Sequence, residues 1–214
     1  MKYRNILFDL DGTLTDPGLG ITRSVQYALA KFGIDEPDLT NLYPFIGPPL
    51  HISFMTYYSF PEEKAWDAVN YYREYYSDRG MLENEVYEGI PLLLSRLKDQ
   101  HRNLYVATSK PVFFASQIVR HFHLEKFFSA VHGSELDGRR TDKVELIQHL
   151  IDKEMLDPTE TVMIGDRKFD LLGAKLNHID SIAVGYGYGK EPELLAEHPT
   201  YYFKTLTEMT ESFP

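Results

Sequence analysis

The chain has 214 residues, 43% of them apolar and 25% charged, with a formal net charge of −10 and an isoelectric point near 5.2. That is the composition of an ordinary globular protein, long enough for one large domain or for a core carrying an inserted smaller one. Its acidity argues against general binding to nucleic acid or anionic membrane, and no apolar stretch reaches the length of a membrane span. Cysteine is absent, which excludes disulfides, thiolate nucleophiles and thiolate metal sites. The cytoplasm is the expected compartment, because the first apolar run is too short for a signal peptide and stops at Asp9.

Tyr3–Phe8 reads as a buried strand: a short apolar run that ends abruptly in Asp9-Leu10-Asp11-Gly12-Thr13. Asp16-Pro17 offers a helix start, with Asp as cap and Pro at the first helical position. Ile21, Val25, Ala28, Leu29 and Phe32 follow at helical spacing until Gly33 stops the run. Pro44, Gly47, Pro48 and Pro49 mark a loop. One helix is expected over Leu50–Tyr58, and another after Pro61 with Ala65, Ala68 or Val69, Tyr72 and Tyr76 on one stripe. No convincing strand is visible before about Asn84.

Beyond Glu88-Gly89-Ile90-Pro91 the pattern alternates. Helices are expected over Leu92–Lys98, Val112–Phe122, Lys143–Lys153 and Phe169–Leu176, with strands at Leu104–Ala107, Phe128–Val131, Thr161–Ile164, Ser181–Val184 and Tyr201–Phe203, then a short terminal helix. Strands alternating with helices imply parallel pairing through right-handed crossovers. The expected fold is therefore α/β: a doubly wound, Rossmann-like parallel sheet with an inserted α-helical unit. Residues 1–15 and 85–214 would form the core and residues 16–84 the insertion.

Four places along this pattern carry chemistry. Asp9 and Asp11 stand where open α/β sheets bind ligands, at the C-terminal end of a strand. Two carboxylates that close repel unless one is protonated or a cation lies between them. Read as a lone pair they also fit a solvated turn. Thr108-Ser109-Lys110-Pro111 closes the next strand, where a hydroxyl and successive N–H groups either form an anion nest or cap the following helix. Lys143 opens a helix against the macrodipole, so either something holds it there or it is simply solvated. Gly165-Asp166-Arg167-Lys168-Phe169-Asp170 again gathers carboxylates at a strand end. Their i, i+4 spacing shares one face if the first turn is helical, and capping explains one Asp more easily than two.

This order of Asp, Asp, Thr, Lys and an Asp pair resembles the haloacid dehalogenase superfamily of phosphohydrolases, over nearly the whole chain. The inserted bundle, with Phe45-Ile46-Gly47-Pro48-Pro49-Leu50, looks like the small helical cap of its phosphoglycolate-phosphatase and 5′-nucleotidase-like branch. The resemblance implies Asp9 as nucleophile and Asp11 as general acid and base, with Thr108 and Lys143 completing the catalytic set. It implies phosphate held by Thr108, Lys143 and backbone N–H groups at Leu10, Asp11 and Ser109. It also implies Mg²⁺ bound by Asp9, the Asp11 carbonyl and Asp166, with Asp170 as ligand or water-holder. An acid at Asp11 favours ester cleavage over dehalogenation, since halide leaves without a proton. The expected partner is a small phosphate ester. A phosphomutase and a catalytically silent phosphate-binding module are the alternatives, and oligomeric state is not legible. Tyr57, Tyr58, Tyr71, Tyr72, Tyr75 and Tyr76 read first as core or rim of the helical unit, Arg23 and Arg73 as surface residues, and Gly185-Tyr186-Gly187-Tyr188-Gly189 as either a mobile loop or a plain turn.

Overall fold

Six parallel strands form the central sheet, in the order β5-β4-β1-β6-β7-β8. The computed structural model describes residues 2–213. In chain order these strands are β1 (Asn5–Phe8), β4 (Asn103–Pro111), β5 (Ala130–Ser134), β6 (Thr161–Gly165), β7 (Asp180–Val184) and β8 (Tyr201–Phe203). Two-residue strands β2 (Thr15–Asp16) and β3 (Glu85–Val86) pair separately. The helices are α1 (Gly18–Lys31), α2 (Leu50–Tyr58), α3 (Glu62–Tyr75), α4 (Ile90–Asp99), α5 (Val112–His121), α6 (Lys143–Glu154), α7 (Lys168–Leu176), α8 (Glu191–Ala196) and α9 (Leu206–Ser212). This is the doubly wound α/β arrangement that the alternating pattern predicts.

β1 lies in the middle of the sheet because it is apolar on both sides. Ile6, Leu7 and Phe8 are fully buried, as a parallel strand covered by helices on both faces requires. Its neighbours are β4 (Phe8 opposite Val106) and β6 (Phe8 opposite Ile164). On one face Leu7, Tyr105, Ala107 and Met163 pack against Ile147, Leu150 and Ile151 of α6 and Ala174 of α7. Burying each large apolar side chain is worth about 1.5–3 kcal/mol, so this layer fixes α6 and α7 against the strands whose ends bear the polar residues.

The chain divides into two compact units, one made of the described residues up to Thr15 and from Val86 onward, the other of Asp16–Glu85. The second unit contains α1, α2, α3 and a 3₁₀ helix over Leu39–Phe45 where a loop is expected. Asp38 caps that helix through Thr40 N–H at 2.9 Å. Inside this unit Tyr72 and Tyr76 are buried and stacked at 5.1 Å, Tyr71 meets Phe32 edge-on, and Arg23 pairs with Glu83 at 2.6 Å. Most of its tyrosines thus serve its own packing, although Tyr57 is exposed.

Several bounds differ from the sequence reading: α4 begins at Ile90 rather than Leu92, and β5 covers Ala130–Ser134 rather than Phe128–Val131. α1 starts at Gly18 rather than Pro17, because Asp16 belongs to β2, yet the Asp16 carboxylate still accepts the Gly18 N–H at 3.0 Å. β4 runs on to Pro111, with a shift in its pairing to β5 between Thr108 and Pro111. α8 was not expected. No helix among the described residues is long and apolar enough to cross a membrane.

Candidate active site

β1 ends at Phe8, and Asp9 and Asp11 follow directly, both buried. The turn behind them is tight: Leu10 O accepts N–H bonds from Leu14 at 2.9 Å and Thr15 at 3.0 Å, while Gly12 N donates to Thr15 O at 2.8 Å. Gly12 has φ +82°, and a Cβ there would strike the Asp166 carboxylate. Only glycine combines that backbone with that approach.

Asp166 follows β6, next to β1, and is fully buried. Thr13 Oγ1 donates to its Oδ1 at 3.2 Å and Tyr188 N to its Oδ2 at 2.7 Å. The Gly185–Gly189 segment is therefore a buttress for Asp166. Gly187 lies against both Gly12 O and Asp166, and the Tyr186 hydroxyl donates to Thr13 O at 3.0 Å. Both readings the sequence leaves for this segment are met in part: it is a turn, and it lies on the side of the site, against Asp166.

Asp170 sits in the first turn of α7. Its Oδ2 accepts the Arg167 N–H at 3.1 Å, and its Oδ1 meets Lys143 Nζ at 2.7 Å. One carboxylate thus caps a helix and also binds an ammonium. Asp166 precedes α7, so the two carboxylates converge through the turn and not by helical spacing.

Lys143 is the first residue of α6, where the macrodipole opposes a cation. Asp142 compensates as the cap, accepting from Val144 N at 2.8 Å and Glu145 N at 3.2 Å. The ammonium itself meets Asp9 Oδ1 at 3.0 Å, Asp170 Oδ1 at 2.7 Å and Ala107 O at 2.9 Å. One hydrogen bond, to Ala107 O, and two carboxylates within ion-pair distance hold the lysine there.

Thr108 is buried within β4, just before the shift in its pairing with β5 and two residues past Val106 as Leu10 is two past Phe8. Its Oγ1 accepts the Lys110 N–H at 3.3 Å. α5 is capped by Pro111, without a side-chain bond, so neither Thr108 nor Ser109 caps that helix. Ser109 O accepts the Ser134 hydroxyl at 2.8 Å, and Leu10 N donates to Asp9 Oδ1 at 2.8 Å. Sequence reasoning gives no role to Lys110, yet its Nζ makes a buried ion pair with Asp11 Oδ1 at 2.7 Å. The available signal is its spacing: residues i and i+2 of an extended strand share a side, so Lys110 follows Thr108 toward the site.

Four buried carboxylates (Asp9, Asp11, Asp166, Asp170) thus face two buried ammoniums, Lys110 and Lys143. Burial pushes Asp166 up to about 8, with repulsion from Asp170 and Asp9 adding to it against the pull of the Tyr188 N–H. Asp170 is raised by burial and by Asp9, only partly offset by Lys143. Burial also raises Asp11 against the pull of Lys110. Lys143 resists the same desolvation because Asp170 and Asp9 hold it charged, above its usual value. Both partners of the Lys143–Asp170 pair thus move up for different reasons, Asp170 through burial and Lys143 through the two carboxylates around it.

Oxygens of Asp9, Asp166 and Asp170 lie within 4.8 Å of one another, the group of metal-ligating type found among the described residues. Hard oxygen donors with excess negative charge fit a hard divalent cation such as Mg²⁺. Burial holds the Asp166 and Asp170 carboxyls above their usual range, which a cation bound between them would offset.

Residues 6–184 match the family model described as haloacid dehalogenase-like hydrolase. The chain is 56% identical over 211 residues to a 5′-nucleotidase of Pseudomonas aeruginosa, covering 99% of this chain and 96% of that one. It is 38% identical over 185 residues to the tyrosine-protein kinase PtkA of Mycobacterium tuberculosis, covering 86% of this chain and 63% of the relative. The crystal structure of a predicted phosphatase from Clostridium acetobutylicum superposes with a TM-score of 0.96 at 46% identity, covering 99% and 98% of the two chains. With its sheet order and the carboxylate cluster at the ends of β1 and β6, the chain belongs to the haloacid dehalogenase-like hydrolases and is an enzyme of their phosphatase kind.

Proposed function

We propose that the protein hydrolyses a small phosphate monoester through an aspartyl phosphate on Asp9, with a divalent cation, Mg²⁺ first, as cofactor. The observation that carries this reading is the buried convergence of Asp9, Lys143, Asp166 and Asp170 where β1 and β6 end. The relative named 5′-nucleotidase makes a nucleoside monophosphate the first substrate to try, and phosphoglycolate the second, after a P. aeruginosa phosphoglycolate phosphatase at 26% identity.

In this reading an Asp9 oxygen attacks phosphorus, dividing one hard displacement into two. Asp11 gives a proton to the departing ester oxygen, then takes one from the water that hydrolyses the aspartyl phosphate. Lys143 faces Asp9 Oδ1 at 3.0 Å and aims it. Thr108 and the N–H groups of Leu10, Asp11 and Ser109 are assigned to the phosphoryl oxygens, where fixed dipoles stabilise shifting charge. Asp9, Asp166 and the Asp11 carbonyl would hold Mg²⁺, which supplies charge neutralisation between the carboxylates and a dianionic phosphate. Asp170 Oδ2 accepts the Arg167 N–H, while Oδ1 lies 2.7 Å from Lys143 Nζ and accepts no hydrogen bond among the described residues, so Asp170 is assigned as a further ligand or a holder of an outer water. The helical unit Asp16–Glu85, inserted a few residues past Asp11, is proposed as the substrate-selecting cap.

Release of phosphate from nucleoside monophosphates, phosphoglycolate and p-nitrophenyl phosphate, with Mg²⁺ and with chelator, tests the reading. The expected result is Mg²⁺-dependent release that Asp9→Asn lowers by about 10³-fold or more, the scale on which losing a nucleophile acts. Equal rates in the variant remove Asp9 from that role. Transfer to an acceptor other than water is the second reading, favoured by the relative named a kinase. It predicts that a phosphorylated Asp9 passes its phosphoryl group to a sugar phosphate or protein hydroxyl faster than to water.

A further inference from the structure

Lys110 contributes the second buried ammonium of the site, and its side chain is only 6% exposed. It is carried on the part of β4 that runs on past Thr108, where the pairing with β5 shifts. A register shift of this kind re-aims a side chain, and Thr108 Oγ1 ties the Lys110 backbone in place. From there Nζ reaches Asp11 Oδ1 at 2.7 Å. Lys143 stands instead against Asp9, Asp170 and Ala107 O, and no contact of its ammonium with Asp11 is within ion-pair distance.

The geometry points to Lys110 as the positioning residue for Asp11: by anchoring Oδ1 it fixes the carboxyl plane and leaves Oδ2 to exchange a proton with the ester oxygen. This rests on the phosphomonoesterase reading above and adds the residue that aims its acid. A general acid works only within about 2.6–3.2 Å of the atom it protonates, and a carboxylate on one rotatable stem does not hold that position unaided. Asp11 has another reason to leave, since Asp9 stands two residues away and repels it. Removing the ammonium leaves a buried, unpaired carboxylate, which turns toward water instead of toward the leaving group.

The test separates aim from general structure by changing the leaving group. A p-nitrophenolate departs with little need of a proton, while the alkoxide of a nucleoside 5′-monophosphate needs one. Because kcat/KM covers events up to departure of the leaving group, it reports on the acid. Lys110→Met is expected to lower kcat/KM for the alkyl ester at least about tenfold more than for the aryl ester, within the range over which general acids act. Lys110→Arg is expected to recover most of the difference. In an Asp11→Asn background Lys110→Met should add little, since residues acting as a unit are not additive. Lys110→Gln replaces the Met variant should thermal melting show that variant unfolded.

Equal losses on both esters, or full additivity with Asp11→Asn, overturn the assignment and make Lys110 a phosphate contact or a structural ion pair. Absence of turnover of either ester by the unaltered chain overturns the phosphatase reading, and this inference with it.

Discussion

At the scale of single residues the site is a problem of excess charge solved by close neighbours. Asp166 shows it best: it is buried, flanked by Asp9 and Asp170, and fixed by Thr13 and the Tyr188 N–H. Because Gly187 packs against that carboxylate, Gly187→Ala is expected to overpack the contact, at about 1–3 kcal/mol of stability. Calorimetric titration with Mg²⁺ should then show clearly weaker binding than in the unaltered protein. An unchanged titration would mean that the segment leaves the carboxylate's position untouched. Asp9, Asp11 and Asp166 are legible from sequence because charges ending an apolar strand interrupt a strong pattern. Lys110 is not, since a lysine after a strand looks like any solvated lysine until the adjacent strand end brings Asp11 to it. The Gly-Tyr-Gly-Tyr-Gly segment stays ambiguous for the same reason: its partner lies 22 residues earlier, beyond any local pattern.

At the scale of elements, α6 presents Lys143 and Asp142 caps its N-terminus. The Asp142 cap engages two N–H groups, so Asp142→Ala is expected to lower unfolding free energy by about 1 kcal/mol and to reduce activity by loosening the turn that carries Lys143. Denaturant unfolding beside phosphate release measures both, and a stability unchanged within error would refute the capping argument. Helical periodicity makes α1, α3 and α5 readable, and short apolar runs do the same for β1 and β6. The remainder has physical reasons to escape. β2 and β3 span two residues each, too few to alternate, and α8 spans six, too few to show a helical period. The continuation of β4 to Pro111 is set by pairing with β5, which Ser109-Lys110-Pro111 does not advertise.

At the scale of the whole molecule, the carboxyl cluster couples folding to protons, and to any cation that it binds. Asp166 is held near 8 in the folded chain against an ordinary 3.8. Between those values the unfolded chain has released this proton and the folded chain retains it. This group's contribution to stability therefore falls as pH rises from about 4 to about 8. A cation that binds the ionised form reverses the loss. The rise in melting temperature on adding Mg²⁺ is expected to be larger at pH 8.5 than at pH 6, and equal shifts would contradict the coupling.

The strand order has a temporal consequence. β1 is flanked by β4, about a hundred positions later, and by β6, whose Thr161 side chain meets Asn5 across 156 residues. A nascent chain that has emerged from the ribosome only through α5 already carries Asp9, Asp11, Thr108 and Lys110, yet it lacks Lys143, Asp166 and Asp170. Such distant pairings form slowly, and the candidate site stays incomplete until α6, β6 and α7 have docked.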